Sequence, residues 1–379
     1  MAADWPAPPP EALALSNQLA EQIGARIDAA GGWLDFAAYM DLALYAPGLG
    51  YYSAGARKFG ADGDFVTAPE LTPAFGACIA RCIEPLLQAG DSILEVGAGT
   101  GALAAAVLDA LAQSGAPVID YQVLEVSAEL RRRQQQRLSA YPVRWLDALP
   151  HAGFRGVILA NEVADALPVR RFRWQAPGAQ ALGVVRAGQG FQWAARDADA
   201  ALAAEVSARL ATAGGAWPAG YTSEFCPGLE PWIAALAACL TRGLLLISDY
   251  GLPAREYYHP QRLDGTLLCH YRHRAHADPF RWPGLQDITA WVDFTAAAQA
   301  GVAAGFTLAG YTTQAQFLMA NGLLDVAPPE DPIEQARHAA NLRRLLLPGE
   351  MGEHFKVLAL SRALTDDQLQ VGRDLRHLL

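Results

Sequence analysis

A glutamate and three glycines follow one another closely between residues 92 and 101. The segment reads Ser92-Ile-Leu-Glu95-Val-Gly97-Ala-Gly99-Thr-Gly101. An apolar strand that runs into a glycine-rich turn and then a helix lets backbone N–H groups approach a ligand that a Cβ would keep away. The pattern therefore predicts that a cofactor lies against Gly97, Gly99 and Gly101.

Glu95 indicates which kind of cofactor this turn favours. It stands two residues before the first glycine, where a carboxylate would be a poor neighbour for the pyrophosphate of a dinucleotide. The same carboxylate would face the positively charged amino-acid end of S-adenosylmethionine. We therefore expect S-adenosylmethionine, and an enzyme that uses a nicotinamide dinucleotide stays open as an alternative.

Two further acidic residues follow the next two predicted strands. Glu125 ends the strand predicted at 119–125, where its two oxygens can accept hydrogen bonds from both hydroxyls of a ribose. Asp147 follows the strand predicted at 143–146, where the amino group of an adenine would be held. Either residue could instead be a solvated side chain at a strand end. Glu125 supports a nucleoside cofactor but does not distinguish S-adenosylmethionine from a dinucleotide.

The methyl acceptor is predicted to meet the cofactor beyond the fourth strand, in Asn161-Glu162-Val-Ala-Asp165. Ligands of open α/β sheets bind beyond the carboxyl ends of the strands, so Asn161 and Glu162 are expected in the same crevice as the glycines. Asp165 is either a second carboxylate there or a local helix cap. Further aspartates are expected to converge from the other half of the sheet: Asp249, Asp287 and Asp293. So much negative charge favours a cationic acceptor.

These residues need a sheet that brings strand ends together. From residue 91 onward, short apolar runs alternate with helical stretches, which is typical of a doubly wound parallel sheet. The first strand of this pattern is predicted at 92–96. The alternation is lost between about 170 and 240, where short antiparallel strands are predicted near 172–175, 181–186 and 191–195. It then resumes, with a helix predicted at about 294–304, for seven strands in two portions. We predict four parts: an N-terminal helical cap with a cofactor-covering loop (1–90), the first part of the core (91–170), an inserted subdomain (171–240) and the second part of the core (241–379).

Composition limits the class of protein. Hydrophobic residues make up 52% of the 379, which excludes a disordered chain, and the net charge of −10 argues against nonspecific nucleic-acid binding. The five cysteines lie mostly in apolar segments, as reduced thiols do, and the first residues show no basic leader, so we expect a cytoplasmic protein. The uncharged stretch 294–324 is interrupted by four glycines, so we expect no membrane span.

Four histidines lie in or near one basic segment: His259, His270, His273 and His276. They invite comparison with a metal site, but arginines interleave them, and a basic loop is the simpler interpretation. A role near the acceptor or near the cofactor carboxylate stays open. We expect no metal.

Three longer strings are more specific than the glycine motif: G-D-F-V-T-A-P-E at 63–70, A-N-E-V-A-D-A-L-P at 160–168 and Q-D-I-T-A-W-V-D-F at 286–294. With them the chain resembles the MidA family of class I S-adenosylmethionine-dependent methyltransferases from about residue 11 to 362. The resemblance implies a Rossmann-like α/β fold and a protein arginine methyltransferase. It further implies a relation to mitochondrial members of that family, which help to assemble respiratory complex I by modifying a core subunit, so a complex I core subunit is an expected protein substrate.

The predicted site combines both arguments. The string at 63–70 would cover the cofactor, which adds Thr67 and Glu70 to its neighbours. The predicted catalytic residues are Glu162, Asp165 and Asp293. The predicted cofactor residues are Glu95, Gly97, Gly99, Gly101, Glu125, Asp147, Asn161, Thr67 and Glu70. A non-catalytic assembly factor that binds the cofactor and a small-molecule methyltransferase stay open as alternatives, and no oligomeric state follows from the sequence.

Overall fold

The computed structural model describes residues 5–54, 66–117, 119–176, 178–326, 329–365 and 369–379. Residues 63–65, which begin the loop predicted to cover the cofactor, lie outside the described residues. Within the described ranges the strands are β1 (Leu34–Asp35), β2 (Ser92–Val96), β3 (Asp120–Leu124), β4 (Val143–Leu146), β5 (Phe154–Asn161), β6 (Arg170–Gln175), β7 (Gly178–Ala187), β8 (Gly190–Asp197), β9 (Thr222–Phe225), β10 (Leu240–Leu252), β11 (Leu268–Tyr271), β12 (Arg274–His276), β13 (Asp287–Thr289), β14 (Val292–Asp293), β15 (Thr307–Thr313) and β16 (Phe355–Arg362).

The helices in the same ranges are α1 (Pro10–Ala29), α2 (Phe36–Tyr45), α3 (Ala68–Leu71), α4 (Pro73–Ile83), α5 (Ala102–Ser114), α6 (Ala128–Arg137), α7 (Ala200–Ala213), α8 (Leu229–Cys239), α9 (Ala254–Tyr257), α10 (Phe294–Ala303), α11 (Gln314–Ala320), α12 (Pro332–Leu346) and α13 (Met351–His354). Short 3-10 turns lie at Glu84–Leu86, Ala164–Ala166, Leu323–Asp325 and Arg376–Leu378. None of these helices is long and apolar enough to cross a membrane.

The central sheet has the strand order β15-β16-β10-β5-β2-β3-β4, and the two-residue strand β14 pairs beside β10. The strands from β10 to β4 run parallel, whereas β16 is antiparallel to both of its neighbours. From β2 the chain first builds β3 and β4 on one side and then returns to build β5 and β10 on the other. The strand order therefore reverses between β2 and β5, where doubly wound sheets leave a crevice for ligands.

Burial on both faces explains why the central strands are continuous apolar runs. Ile93, Val157 and Leu245 are each 0% exposed. Helices α4, α5 and α11 cover one face of the sheet, and α8 and α10 cover the other. A parallel strand that is covered on both faces can bury an apolar side chain at every position. Such continuous apolar runs are the pattern from which the parallel sheet was predicted.

Residues between β5 and β10 form a second, antiparallel sheet. Its order is β1-β7-β6-β9, with β8 paired to β7, and β1 comes from the N-terminal segment. Helix α7 packs on it through Leu202, Val206 and Leu210. The three short strands that the sequence predicted here, near 172–175, 181–186 and 191–195, are confirmed as β6, β7 and β8.

A third sheet, β12-β11-β13, replaces what the sequence analysis interpreted as a basic loop. Its strands have three or four residues each, too few to give a periodic signal. The pairing of β11 with β13 places His270 opposite Asp287. This sheet therefore joins the histidine segment to the aspartate that the sequence analysis predicted in the crevice.

Candidate active site

A cavity of about 410 Å³ lies at the point where the strand order reverses. The turn after β2, the end of β5 and the residues around α3 form one part of its wall. Residues of β11, β13 and the segment 350–355 form another part. The cavity therefore joins the two segments in which the sequence analysis placed the cofactor and the acceptor.

The turn between β2 and α5, residues 97–101, is called the glycine turn below. Gly97, Gly99 and Gly101 have φ angles of +66°, +54° and +83°, the left-handed region that glycine adopts at little cost. A Cβ on Gly99 would meet no atom within 4 Å, and Gly99 lines the cavity. Gly101 does not line it and instead precedes α5. The turn thus presents bare backbone to the cavity, at the place where the sequence analysis expected the cofactor.

Glu95 is a buried carboxylate on the cavity wall, 2% exposed. The Tyr121 hydroxyl donates a hydrogen bond to its Oε2 at 2.8 Å. Burial raises the pKa of Glu95 to about 7, although the bond from Tyr121 opposes the shift. A cationic group of a ligand would relieve this cost, because an opposite charge favours the ionised form. The position suits the ammonium of an amino acid.

Glu125 is fixed beside the glycine turn. Its Oε1 accepts the backbone N–H of Ser127 at 2.8 Å, and its Oε2 accepts Nε2 of Gln134 at 2.9 Å. The same Nε2 donates to the carbonyl of Gly99 at 2.9 Å. The neighbouring Val126 lines the cavity and is 81% exposed. Gln134 therefore links the Glu125 carboxylate to the glycine turn and fixes their relative position. Val126 offers an apolar surface beside them that a nucleoside base could cover.

Helix α3 is tied to the glycine turn through Glu70. The Thr100 hydroxyl donates to Oε1 of Glu70, and Nη1 of Arg137 donates to the same oxygen at 3.0 Å. Thr67, which precedes α3, also lines the cavity. The structure thus brings both predicted covering residues to the cavity.

Three carboxylates, Glu162, Asp165 and Asp287, form what is called the acidic end of the cavity. Oε1 of Glu162 accepts Nδ2 of Asn161 at 3.3 Å and lies 3.4 Å from the donating N–H of Ala68. Glu162 has a φ of +53°, and such strain in a non-glycine residue is more common at functional sites. Asp165 is 6% exposed, and its Oδ1 has no hydrogen-bond partner in the described part of the chain.

The electrostatics of this acidic end favour a cation. Burial raises the pKa of Glu162 to about 8, and repulsion by Asp165 adds to the shift. Burial also raises the pKa of Asp165 to about 6, against a hydrogen bond from Tyr250. Buried carboxyl groups that repel one another retain protons or bind a positive ligand. A guanidinium would satisfy them.

Tyrosines line the same end. The rings of Tyr45 and Tyr52 stack with centroids 5.5 Å apart. The Tyr45 hydroxyl donates to the carbonyl of Ala166 at 2.9 Å, and the Tyr52 hydroxyl donates to Oδ1 of Asp287 at 3.0 Å. Aromatic faces attract cations, and planar guanidinium groups stack on them. The string P-G-L-G-Y-Y at 47–52, which contains Tyr52, also belongs to the resemblance, but the sequence analysis assigned no role to Tyr52 or Tyr45.

Asp249 lies beneath the acidic end and does not line the cavity. It is 0% exposed, and its Oδ2 accepts the backbone N–H groups of Val163, Ala164 and Asp165 at 3.1, 2.9 and 3.2 Å. The carboxylate therefore fixes the turn that carries Glu162 and Asp165. The sequence analysis expected Asp249 in the crevice itself. In the structure Asp249 instead lies outside the cavity lining and supports the turn that carries Glu162 and Asp165.

Besides Gly101, two predicted site residues lie away from the cavity lining, Asp147 and Asp293. The Asp147 side chain is 88% exposed and pairs with Nη1 of Arg131 at 2.5 Å. Asp293 caps α10 through the N–H of Ala296 at 3.1 Å and lies 3.6 Å from Arg209 on a separate, smaller cavity. Their predicted roles, at the adenine and in catalysis, stay predictions that their positions do not support.

Of the four histidines, His270 lines the cavity, and burial lowers its pKa. Within the described ranges, no group of three or more His, Cys, Asp or Glu side chains could hold a metal ion. One part of the cavity instead combines the bare backbone of the glycine turn with the carboxylates of Glu95 and Glu125, which fits a nucleoside that carries an amino acid. The acidic end, lined by tyrosines, fits a cationic acceptor beside it.

Comparisons with known proteins agree with this chemistry. Residues 78–312 match the model of a family described as "Putative S-adenosyl-L-methionine-dependent methyltransferase". A crystal structure of a Burkholderia thailandensis protein bound to S-adenosyl-homocysteine is 45% identical, covers 99% of this chain and 100% of that chain, and superposes with a TM-score of 0.91.

Curated relatives match over most of their length as well. A Danio rerio protein named mitochondrial protein arginine methyltransferase NDUFAF7 is 27% identical over 94% of this chain and 90% of its own. The Homo sapiens protein of the same name is 28% identical over 91% of this chain and 83% of its own.

Proposed function

The chain belongs to this family of S-adenosyl-L-methionine-dependent methyltransferases, and on that premise we propose that its methyl acceptor is an arginine of a protein. The membership confirms the resemblance inferred from the sequence, the α/β methyltransferase fold and the cofactor. The observation that carries the proposal is the convergence of Glu162, Asp165 and Asp287 at one end of the cavity. The names of the curated relatives support it.

The cofactor would lie along the glycine turn. When bound, S-adenosyl-L-methionine supplies an electrophilic methyl group on its sulfonium. Glu95 would bind the ammonium, Glu125 the ribose hydroxyls, and the backbone of the glycine turn would contact the amino-acid portion. Thr67, Glu70 and Asn161 would close the site around it.

The acidic end would orient the acceptor. A guanidinium is planar, and its N–H donors form a fork that a carboxylate can accept in pairs. A free guanidinium has a pKa above about 12, so the attacking nitrogen must lose a proton as it gains the methyl group. Burial raises the pKa of Glu162 to about 8, and a bound guanidinium would favour its ionised form, which can then receive that proton. Most of the remaining rate would come from alignment of the two reacting atoms.

We also propose a division of the chain into a core, an insertion and a cap. We take the central sheet as a class I methyltransferase core and the antiparallel sheet of β6 to β9 as its insertion, with α1 and α2 as an N-terminal cap. In this scheme the cap reaches the acidic end through Tyr45 of α2, whereas no described residue of the insertion lines the cavity. The division at residues 90, 170 and 240 separates the parts. The proposed acceptor is a core subunit of respiratory complex I or a similar protein.

The proposal is tested by finding which residue receives the methyl group. The purified protein is incubated with methyl-labelled cofactor and an extract of its own cells that lack the gene, and mass spectrometry locates the label. We expect label on arginine, with complex I core subunits examined first. Label on a small molecule or on another residue type would overturn the proposal. Retained cofactor binding without any transfer would favour the assembly-factor alternative.

A further inference from the structure

Arg344 is the only arginine or lysine among the described residues that line the cavity. Seven acidic side chains line the same cavity. Across the described part of the chain, Arg344 has no hydrogen bond, ion pair or ring contact, although most arginines of the protein have one. An exposed and unpaired cation on an otherwise acidic wall points to an anionic ligand group.

The helix that carries Arg344 packs at the cofactor end of the cavity. Nδ2 of Asn341 donates to the carbonyl of Leu71, at the end of α3, at 2.5 Å. Residues three apart share one face of a helix, so Arg344 lies on the same face of α12 as Asn341. Leu345 is 0% exposed and anchors this last turn in the core. Through Glu70, α3 is in turn bonded to Thr100 of the glycine turn.

S-adenosyl-L-methionine carries one anionic group, its α-carboxylate, and none of the charged side chains assigned to the cofactor would bind it. Its amino-acid end has an ammonium, which suits Glu95, and an α-carboxylate, which acidic neighbours would repel. Arg137, which contacts the glycine turn at Thr100, already donates to Glu70 as well. A guanidinium can bind a carboxylate through two parallel hydrogen bonds. We propose that Arg344 binds the α-carboxylate of S-adenosyl-L-methionine. The proposal rests on the cofactor alone and is independent of the identity of the acceptor.

The test compares two ligands by calorimetry. One is S-adenosylhomocysteine, and the other is its decarboxylated analogue, which keeps the adenosine, the thioether and the amine. We expect the wild-type protein to bind the analogue at least about tenfold more weakly, the size of a lost charge-assisted contact. In Arg344→Gln, S-adenosylhomocysteine should weaken by a similar factor, and the preference between the two ligands should shrink to within about threefold.

Arg343→Gln is the matched control, because Arg343 is exposed in the same turn of α12 and does not line the cavity. It should bind both ligands as the wild type does, and Arg344→Lys should restore part of the preference. Thermal unfolding checks that each variant is folded.

Two results would overturn the assignment. The first is a wild-type protein that binds both ligands equally, which needs no variant to interpret. The second is an Arg344→Gln protein that keeps the full preference for S-adenosylhomocysteine, since the carboxylate would then be held elsewhere. If that variant instead raises the KM for a protein acceptor and leaves both affinities unchanged, Arg344 contacts a carboxylate of the acceptor and the assignment is wrong.

Discussion

Oδ2 of the buried Asp249 accepts the backbone N–H of Ala164 at 2.9 Å. The same oxygen accepts the N–H groups on either side, and Oδ1 accepts the N–H of Tyr250 at 2.9 Å. One carboxylate at the end of β10 thus fixes the turn at the end of β5, which carries Glu162 and Asp165. Asp249 is a positioning residue: it acts through these two groups and lies outside the cavity lining.

We expect Asp249→Ala to lower kcat by about tenfold or more, because three backbone N–H groups lose their acceptor and each costs roughly 1–3 kcal/mol when left unsatisfied. Asp249→Asn keeps one oxygen and should recover part of the loss. The affinity for S-adenosylhomocysteine, measured by calorimetry, should change by less than about threefold in both variants. An alanine variant that is folded and fully active would show that the turn holds its geometry without Asp249.

The glycine turn is tested with Gly99→Val. The side chain would stand in the cavity where the cofactor must touch backbone, so the affinity for S-adenosylhomocysteine should fall by about two orders of magnitude. Gly115→Val is the control, since Gly115 has a φ of +78° with no atom within 4 Å of a Cβ and lies at the C-terminal end of α5. It imposes similar backbone strain and should leave the affinity unchanged. Equal affinities in all three proteins would remove the turn from the cofactor site.

Glu125→Ala should weaken binding of S-adenosylhomocysteine by about tenfold or more, because two charge-assisted hydrogen bonds to the ribose would be lost. Glu125→Asp should be intermediate. The measurement is calorimetric titration, with Asp147→Ala titrated in parallel to test the predicted adenine contact. If Glu125→Ala binds as the wild type does, the carboxylate only supports the glycine turn through Gln134.

Glu162 should make stability depend on pH. Its folded-state pKa is about 8, raised from an ordinary 4.5 by burial first and then by Asp165. Between these two values the unfolded chain has released a proton that the folded chain retains, so the free energy of unfolding falls as pH rises through this window. Glu162→Gln carries no such proton.

The variant should therefore gain stability over the wild type, on the order of 4 kcal/mol at about pH 8 and less than about 1 kcal/mol at about pH 5. Urea unfolding of both proteins at the two pH values measures the difference. A gain of the same size at both values would mean that the carboxyl group titrates alike in the folded and unfolded states.

The sequence predicted the parts of the fold that repeat a strong local pattern. Strand β2 at Ser92–Val96 and β4 at Val143–Leu146 were predicted with the bounds observed, because a buried parallel strand is a continuous apolar run between turn residues. The helix predicted at 294–304 is observed as Phe294–Ala303.

What the sequence missed depends on contacts between distant segments. Leu345 is the one fully buried side chain in the described residues of helix α12, and contacts with distant segments place Arg344 at the cavity. Among them are the hydrogen bond from Asn341 to Leu71, 270 residues away, and the bond from Gln314 to the carbonyl of Leu345. Likewise, the pairing of β11 with β13 could not be predicted from strands of three or four residues. The sequence analysis expected Asp249, Asp287 and Asp293 together in one crevice. Local sequence could not show that Asp287 lines the cavity, that Asp249 lies beneath it and that Asp293 lies on a separate cavity.

Whether the acidic end holds a protein arginine for methylation can be measured in cells. Cells that lack the gene receive wild-type protein, Glu162→Gln or Asp165→Asn, and mass spectrometry compares arginine methylation across their proteins, complex I core subunits included. We expect an arginine that is methylated with the wild-type protein and at least about 10²-fold less with Glu162→Gln, while purified Glu162→Gln binds S-adenosylhomocysteine within about threefold of the wild type. The claim is contradicted if no arginine depends on the gene, or if both variants restore methylation fully.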